Sequence, residues 1–357
     1  MLSKDKKWNI LSVLSAILAA YFLQNYSDLK RHLVLESGAL NNTQYANQSF
    51  LIFNRVPKAG SETLWGLLDI LSKQNGFISY SDSAEVKQQR GAENTFLNRE
   101  QRKSYVEMLR DDNGETNITH NSPYCYIKHI NFLNFEEFNY TNPIYVNMVR
   151  HPIERLISWY YYTRQGWYQL KWNSAKNETE LKSKLNPTMM KRTYEECVME
   201  QEDECIYPVG GKIHMGRYGG SHYSQVSLEV YFSNYFFEVL IFQISFYCGM
   251  EPECDEFGSR EGLNIAKANV EKYFAVVGVL EEWQKSLIVM ENYVPYFFKN
   301  ASQTYLKQMK GKHKNSNNIK PQIPKYIKDK VTMNFTVEME FYEFCKARLY
   351  RQYLTTL

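Results

Sequence analysis

The sequence predicts an α/β protein: a parallel sheet flanked by helices. Three observations predict it. Apolar, strand-like runs alternate with helical stripes at Leu51–Leu71, Ile144–Tyr161 and Phe274–Met290. Each run passes into its helix through a short loop. Two of those loops place a cation, Lys58 or Arg150, just past the strand's carboxyl end, where ligands of open α/β sheets bind.

The chain begins with an address. Lys4, Lys6 and Lys7 precede an uncharged apolar stretch from Trp8 to Leu23. We read residues 1–7 as a cytoplasmic tail and 8–24 as a signal-anchor transmembrane helix. The stretch is short against the roughly 17–25 residues of a full span, but thin early-secretory membranes accept such lengths. A cleaved signal peptide is the alternative, with small residues between Ala16 and Ala20 for the cleavage site. Residues 25–48 are polar and read as a luminal stem, and 49–357 as the luminal domain.

Two features agree with a luminal chain. Glycosylation sequons occur at Asn41, Asn47, Asn117, Asn139, Asn177, Asn300 and Asn334, all after the apolar stretch. The six cysteines include two close pairs, Cys197/Cys205 and Cys248/Cys254, in short polar or turn-rich segments that suit small-loop disulfides. Zinc is the rival reading, although no His lies at ligand spacing beside either pair. Cys125 and Cys345 sit among apolar and aromatic residues and read as buried thiols or a third pair.

The first βα unit is the most informative. Leu51–Val56 is apolar and β-prone. Pro57–Gly60 forms a loop, and Ser61 is a suitable N-cap. Leu64, Leu67, Leu68 and Leu71 then recur at helical spacing. A loop with Lys and Gly at a helix N-terminus can hold an anion, because backbone N–H groups, the helix dipole and an ammonium meet there. The loop is not a nucleotide-hydrolase P-loop, since Lys58 precedes Gly60 and no G-x-x-x-x-G-K-[ST] string occurs.

In the second unit, Ile144–Val149 reads as a buried strand closed by Arg150. Pro152 suits a first helical turn, and Ile153, Leu156, Ile157, Tyr160 and Tyr161 make an apolar stripe. The third runs from a strand, Phe274–Leu280, through Glu281 and Glu282 to a helix carrying Trp283, Leu287 and Met290. Residues 206–243 look different, as an insertion rich in Gly and aromatic residues with His214, Arg217 and His222. Lys307–Lys330 is Lys-rich with Asn and Pro, and reads as a mobile loop or long connection.

With 15% aromatic residues, most of the chain is expected to fold. A net charge of +3 leaves any polyanion site to local clustering, and no nucleic-acid partner is expected. Three pieces provide that clustering. Besides the Lys58 loop, Arg150 and Ser158 lie on one strand–helix unit, able to grip a phosphate from two sides. His129 lies in "YIKHINFLNF" and is a candidate general base, as its ordinary pKa is near neutral. The bland alternatives are a solvated Lys58, an Arg150–Glu154 ion pair, a Ser158 hydroxyl bonded to its own helix and a core His129.

On "FNRVPKAGSETL", "KHINFLNF", "VRHPIERLISWYYY", "YCGMEPEC", "VVGVLEEW" and "EFYEFCK", the chain resembles the uronyl 2-O-sulfotransferases. That family includes the heparan sulfate 2-O-sulfotransferases, the dermatan/chondroitin uronyl 2-sulfotransferases and the insect Pipe proteins. The wording is nearer the uronyl and Pipe branch, and the match runs from about Leu51 to the C-terminus.

The resemblance implies the sulfotransferase fold, P-loop-like and binding 3′-phosphoadenosine 5′-phosphosulfate (PAPS), in a type II Golgi membrane enzyme. Arg55, Lys58, Ala59, Gly60, Ser61, Glu62 and Thr63 would hold the 5′-phosphosulfate. Arg150 and Ser158 would bind the 3′-phosphate, and Lys310, Gly311 and Lys312 would close over the nucleotide. His129 would take the proton from the 2-hydroxyl of a uronic acid, and Arg164 is a candidate substrate contact. The implied partners are a glycosaminoglycan or glycoprotein acceptor and further copies of the chain in a homotrimer.

Sulfuryl transfer is an in-line displacement, so negative charge on the leaving phosphate oxygen calls for a Lys and N–H groups aimed at it. No step calls for a metal. Two departures stand out. Heparan-type relatives carry a second His at the position of Ile127, so the base role rests on His129 alone. The segment between Cys205 and Cys248 is longer than in relatives and flanks the expected acceptor groove. The competing functions are a non-catalytic glycan-binding or partner-dependent relative, and a luminal glycosyltransferase or kinase. The last would need a D-x-D or Gly-Lys-[Ser/Thr] string, and the chain has neither.

Overall fold

Every residue of the strands β4 (Pro143–Val149) and β5 (Phe274–Val279) is buried. Successive strand residues point to opposite faces, so both faces of the sheet are covered at these strands. The computed structural model describes residues 38–81, 97–110, 122–164, 191–207, 209–210, 242–311 and 321–357, with some of residues 15–28. The other strands are β1 (Asn47–Asn54), β2 (Ile78–Ser81) and β3 (Tyr124–Lys128), and all five run parallel in the order β2-β3-β1-β4-β5. The predicted parallel α/β sheet flanked by helices is thus present.

The helices follow the predicted stripes. Ser61–Asn75 forms α1, which buries Leu64, Leu67, Leu68 and Leu71. Its cap differs from expectation: Gly60, with φ of 82°, is the N-cap and Ser61 is the first helical residue. The chain turns left-handed there, a conformation that suits Gly and leaves no capping role for the Ser61 side chain. Arg99–Leu109 forms α2, opened by a reciprocal Asn98–Gln101 capping box. Pro152–Thr163 forms α3, with Pro in its first turn and Ile153, Leu156, Ile157 and Tyr160 buried as predicted. Tyr194–Met199 forms α4, Gln243–Cys248 α5, Arg260–Tyr273 α6 and Trp283–Tyr293 α7.

Two segments depart from the sequence reading. The Lys-rich stretch contains a helix, α8 (Lys325–Thr332), because Ile327 and Val331 lie one turn apart and both bury. It is followed by a long C-terminal helix, α9 (Thr336–Leu354). The folded unit also begins before residue 49. Thr43–Tyr45 makes a 3₁₀ turn, Asn42 Nδ2 donates to the Phe274 carbonyl at 3.0 Å, and Arg348 Nη2 reaches the Leu40 carbonyl at 3.4 Å.

Cys197–Cys205 and Cys248–Cys254 are paired as disulfides, with Cα atoms 6.0 Å and 5.5 Å apart. Cys125 and Cys345 are buried free thiols, not a third pair. Among the described residues no helix is long and apolar enough to cross a membrane. The predicted span 8–24 lies largely outside those residues, as do most of the 206–243 insertion, Asn117, Asn177 and Lys312. The remaining sequons are described. Asn139 and Asn300 are exposed at left-handed positions, while Asn41, Asn47 and Asn334 are half-buried.

Candidate active site

The strand order places β3, β1 and β4 side by side, and parallel strands end at one edge. His129 follows β3 directly, the Lys58 loop follows β1 and Arg150 follows β4. Three segments distant in sequence therefore emerge together, strand spacing being about 4.8 Å. The chain leaves β1 toward β3 and β2, then returns to the other side as β4. The edge between β1 and β4 is thus the topological switch point, where such sheets bind ligands.

Hydrogen bonds tie these segments to the β1 turn. His129 Nδ1 lies 2.8 Å from the Arg55 carbonyl oxygen. A carbonyl only accepts, so Nδ1 carries the proton and Nε2 is the basic nitrogen. Arg150 Nη1 donates to the Lys58 carbonyl at 3.1 Å, and Arg155 Nη1 donates to the Pro57 carbonyl at 3.0 Å. Burial lowers the pKa of the Arg150 guanidinium, with Glu281 and Glu154 opposing the shift. Lys58 has a φ of 62°, a left-handed conformation that a non-Gly residue seldom takes, and its Nζ sits 3.8 Å from the Tyr162 ring centroid.

The turn is shaped for an anion. A Cβ added at Gly60 would come within 2.6 Å of Leu280 Cδ1, so the chain passes there only as Gly. Gly60 opens a helix of 15 residues, whose first N–H groups and positive dipole end face the turn. These residues fit a phosphosulfate donor. The same added Cβ would lie 3.6 Å from Trp283, whose ring centroid lies 5.3 Å from that of Tyr305 in a tilted pair, so Trp283 links the turn to the segment Tyr305–Met309. Lys310 and Gly311 end that segment and are exposed.

Some predicted residues have other partners. Arg55 is buried, forms an ion pair with Glu62 and lies 4.7 Å from the Trp65 ring centroid. Arg164 lies at the far end of α3, stacked 3.5 Å over the Tyr160 ring. Ser158 is half-buried in the middle of α3. Glu154 pairs with Lys328 at 2.6 Å. Ile127 is buried within β3. A cavity of about 390 Å³ opens near the C-terminal end of α1, between Gln74 and Lys307, and none of the site residues lines it.

The supporting residues were missed. Asn54, the last residue of β1, and Asn147, inside β4, are fully buried. Asn147 Nδ2 donates to the Asn54 carbonyl at 2.6 Å, and its Oδ1 accepts from the Val56 N–H at 3.3 Å. Gln243, also fully buried, exchanges hydrogen bonds of 2.7 and 2.8 Å with the Arg150 backbone. Glu338 on α9 accepts from the Gln243 and Ile244 N–H groups at 3.1 and 3.2 Å. Burial raises its carboxyl pKa, and Arg155 opposes that. Asn inside an otherwise apolar strand was the one available signal, since a buried amide needs partners. Gln243 and Glu338 had none, because their partners are distant in sequence.

A five-stranded parallel sheet with an anion-shaped turn beside a tautomer-fixed His defines a class of group-transfer fold. The Sulfotransferase family model matches residues 41–345, and the chain belongs to that family. It is 33% identical over 319 residues to the Drosophila melanogaster uronyl 2-sulfotransferase homolog pip, covering 88% of this chain and 55% of that protein. Human uronyl 2-sulfotransferase is 25% identical, covering 85% of this chain and 63% of its own length. Human heparan sulfate 2-O-sulfotransferase 1 is 26% identical, covering 82% and 68%. The chain thus spans between about half and two thirds of the relatives it matches.

Proposed function

We propose that this protein transfers a sulfuryl group from PAPS to the 2-hydroxyl of a uronic acid, or a related sugar, in a glycosaminoglycan or glycoprotein glycan. One observation carries the reading. The β1 turn is bonded at Arg55 by His129 and at Lys58 by Arg150, so a base and two cations stand at one helix N-terminus. The relatives are uronyl and heparan sulfate 2-sulfotransferases.

PAPS supplies the activated sulfuryl group. Lys58 and the N–H groups from Ala59 to Glu62 stabilise charge at the 5′-phosphate side, and Arg150 with Ser158 binds the 3′-phosphate. His129 receives the hydroxyl proton at Nε2 while its Nδ1–H stays on the Arg55 carbonyl, which fixes the ring's orientation. Lys310 and Gly311, with Lys312, cover the nucleotide. For Lys58 to serve, its ammonium turns from the Tyr162 ring toward the donor, a short movement for a flexible stem.

We further propose a type II Golgi membrane enzyme anchored by residues 8–24, glycosylated on luminal sequons and assembled as a homotrimer. The test is radiolabelled sulfate transfer from PAPS by the full chain to heparan, dermatan, chondroitin and secreted glycoproteins. Label on a uronic acid 2-hydroxyl is expected. Tight binding of 3′-phosphoadenosine 5′-phosphate (PAP) with no transfer to any acceptor favours a non-catalytic glycan-binding relative instead.

A further inference from the structure

A fully buried arginine stands beneath the proposed donor turn. Arg155 lies in the second turn of α3 and is 2% exposed. Burying a guanidinium is costly unless its donors are used. A position that only filled the core would be met by an aliphatic residue, as at Leu156 and Ile157 beside it. Arg155 instead donates to the Pro57 carbonyl at 3.0 Å, while Arg150 donates to the next carbonyl, that of Lys58, at 3.1 Å. Two successive peptide oxygens of the turn are thus held by two guanidinium groups from one βα junction.

That pairing has a directional consequence. The described peptides include no cis bond, and in a trans peptide the N–H points opposite the C=O. Anchoring the Pro57 and Lys58 oxygens therefore fixes the Lys58 and Ala59 N–H groups, which point away from the arginines. Left-handed backbone at Lys58 and Gly60 alternates the turn, as in backbone nests that bind anions. Held carbonyls also explain how a non-Gly residue stays at φ of 62°. Glu338, buried on α9, is the main charge acting in favour of the Arg155 cation.

We propose that Arg155 is a positioning residue of the donor turn: its buried guanidinium, with that of Arg150, turns the peptides after Pro57 and Lys58 so that their N–H groups face the 5′-phosphosulfate. The proposal rests on the donor-site reading above. Arg155 touches neither donor nor acceptor and acts through the backbone of Pro57.

The experiment measures PAP affinity by calorimetry, acceptor KM and melting temperature for the full chain and its Arg155→Lys and Arg155→Met variants. Arg155→Met is expected to weaken PAP binding roughly tenfold or more, the scale of a hydrogen bond involving a charged group, with acceptor KM unchanged. Arg155→Lys, which keeps a cationic N–H donor group, is expected to recover part of that loss. Folded variants with native PAP affinity overturn the proposal, even if both melt earlier. Should neither variant fold, hydrogen exchange of the native protein decides. PAP is expected to slow exchange at the Lys58 and Ala59 amides, and unchanged exchange there overturns the proposal. A native chain that binds no PAP contradicts the donor reading itself and takes this inference with it.

Discussion

Two strand-to-helix turns stand at the same edge of the sheet, one after β1 and one after β5, in direct contact through Gly60 and Leu280. After β1 the chain reads Pro57-Lys58-Ala59-Gly60, and no side chain caps the helix that follows. After β5 it reads Leu280-Glu281-Glu282, with two carboxylates in the first turn. Those carboxylates are occupied. Glu281 accepts from the His151 N–H at 3.0 Å and the Tyr342 hydroxyl at 3.2 Å, and Glu282 accepts from Lys285 and from Tyr350 at 2.6 Å. The β5 turn thus repels an anion and braces its neighbours, while the β1 turn leaves the positive end of its helix to a ligand. The same outline serves two purposes, and the charges placed on it decide which.

The comparison breaks first at Lys58. Lys58→Ala removes the cation that most distinguishes the β1 turn, and sulfate transfer should fall by roughly 10²–10³. Its melting temperature should stay close to native, as Lys58 is only half-buried. Arg150→Ala should weaken PAP binding about 10- to 100-fold while acceptor binding changes little; equal donor affinity in calorimetry would contradict the 3′-phosphate role. Gly60→Ala probes the contact between the two turns. Its Cβ would meet Leu280 at 2.6 Å in a left-handed conformation, so chemical denaturation should show a loss of about 1–3 kcal/mol.

The smallest effect concerns the bracing side. Burial lowers the His151 pKa below its ordinary 6.5, although Glu281 and Glu154 oppose the shift and Lys328 adds to it. A lowered folded-state pKa means the unfolded chain binds the proton first. Stability from this group is therefore present above about pH 6.5 and declines as pH falls through that region. His151→Gln should flatten that decline in melting curves taken between neutral and mildly acidic pH. An unchanged slope would mean that His151 does not report the β5 brace.

Much of the β1 and β4 units could be read directly. Leu64 to Leu71 and Ile153 to Tyr160 carry their helices at regular spacing, and the strands before them are unbroken apolar runs. Lys58, His129 and Arg150 were legible as chemistry-bearing residues expected to cluster, but the arrangement that brings them together was not. Their proximity comes from the order β3-β1-β4, which no local pattern encodes. The helix Lys325–Thr332 was hidden by its lysines, because only Ile327 and Val331 bury and its other residues are exposed or half-buried. Glu338 and Gln243 meet Arg150 and Arg155 only once α9 and α5 are packed, so the network beneath the turn had no signal in the sequence.

The central claim is that the β1 turn holds the donor while His129 serves the acceptor. Single-turnover sulfate transfer by His129→Ala at saturating PAPS tests it most directly. Transfer should drop by roughly 10²–10⁴ while PAP affinity stays native, because the ring is held to the turn through the Arg55 carbonyl and its Nε2 serves the acceptor. Transfer at the native rate would contradict it.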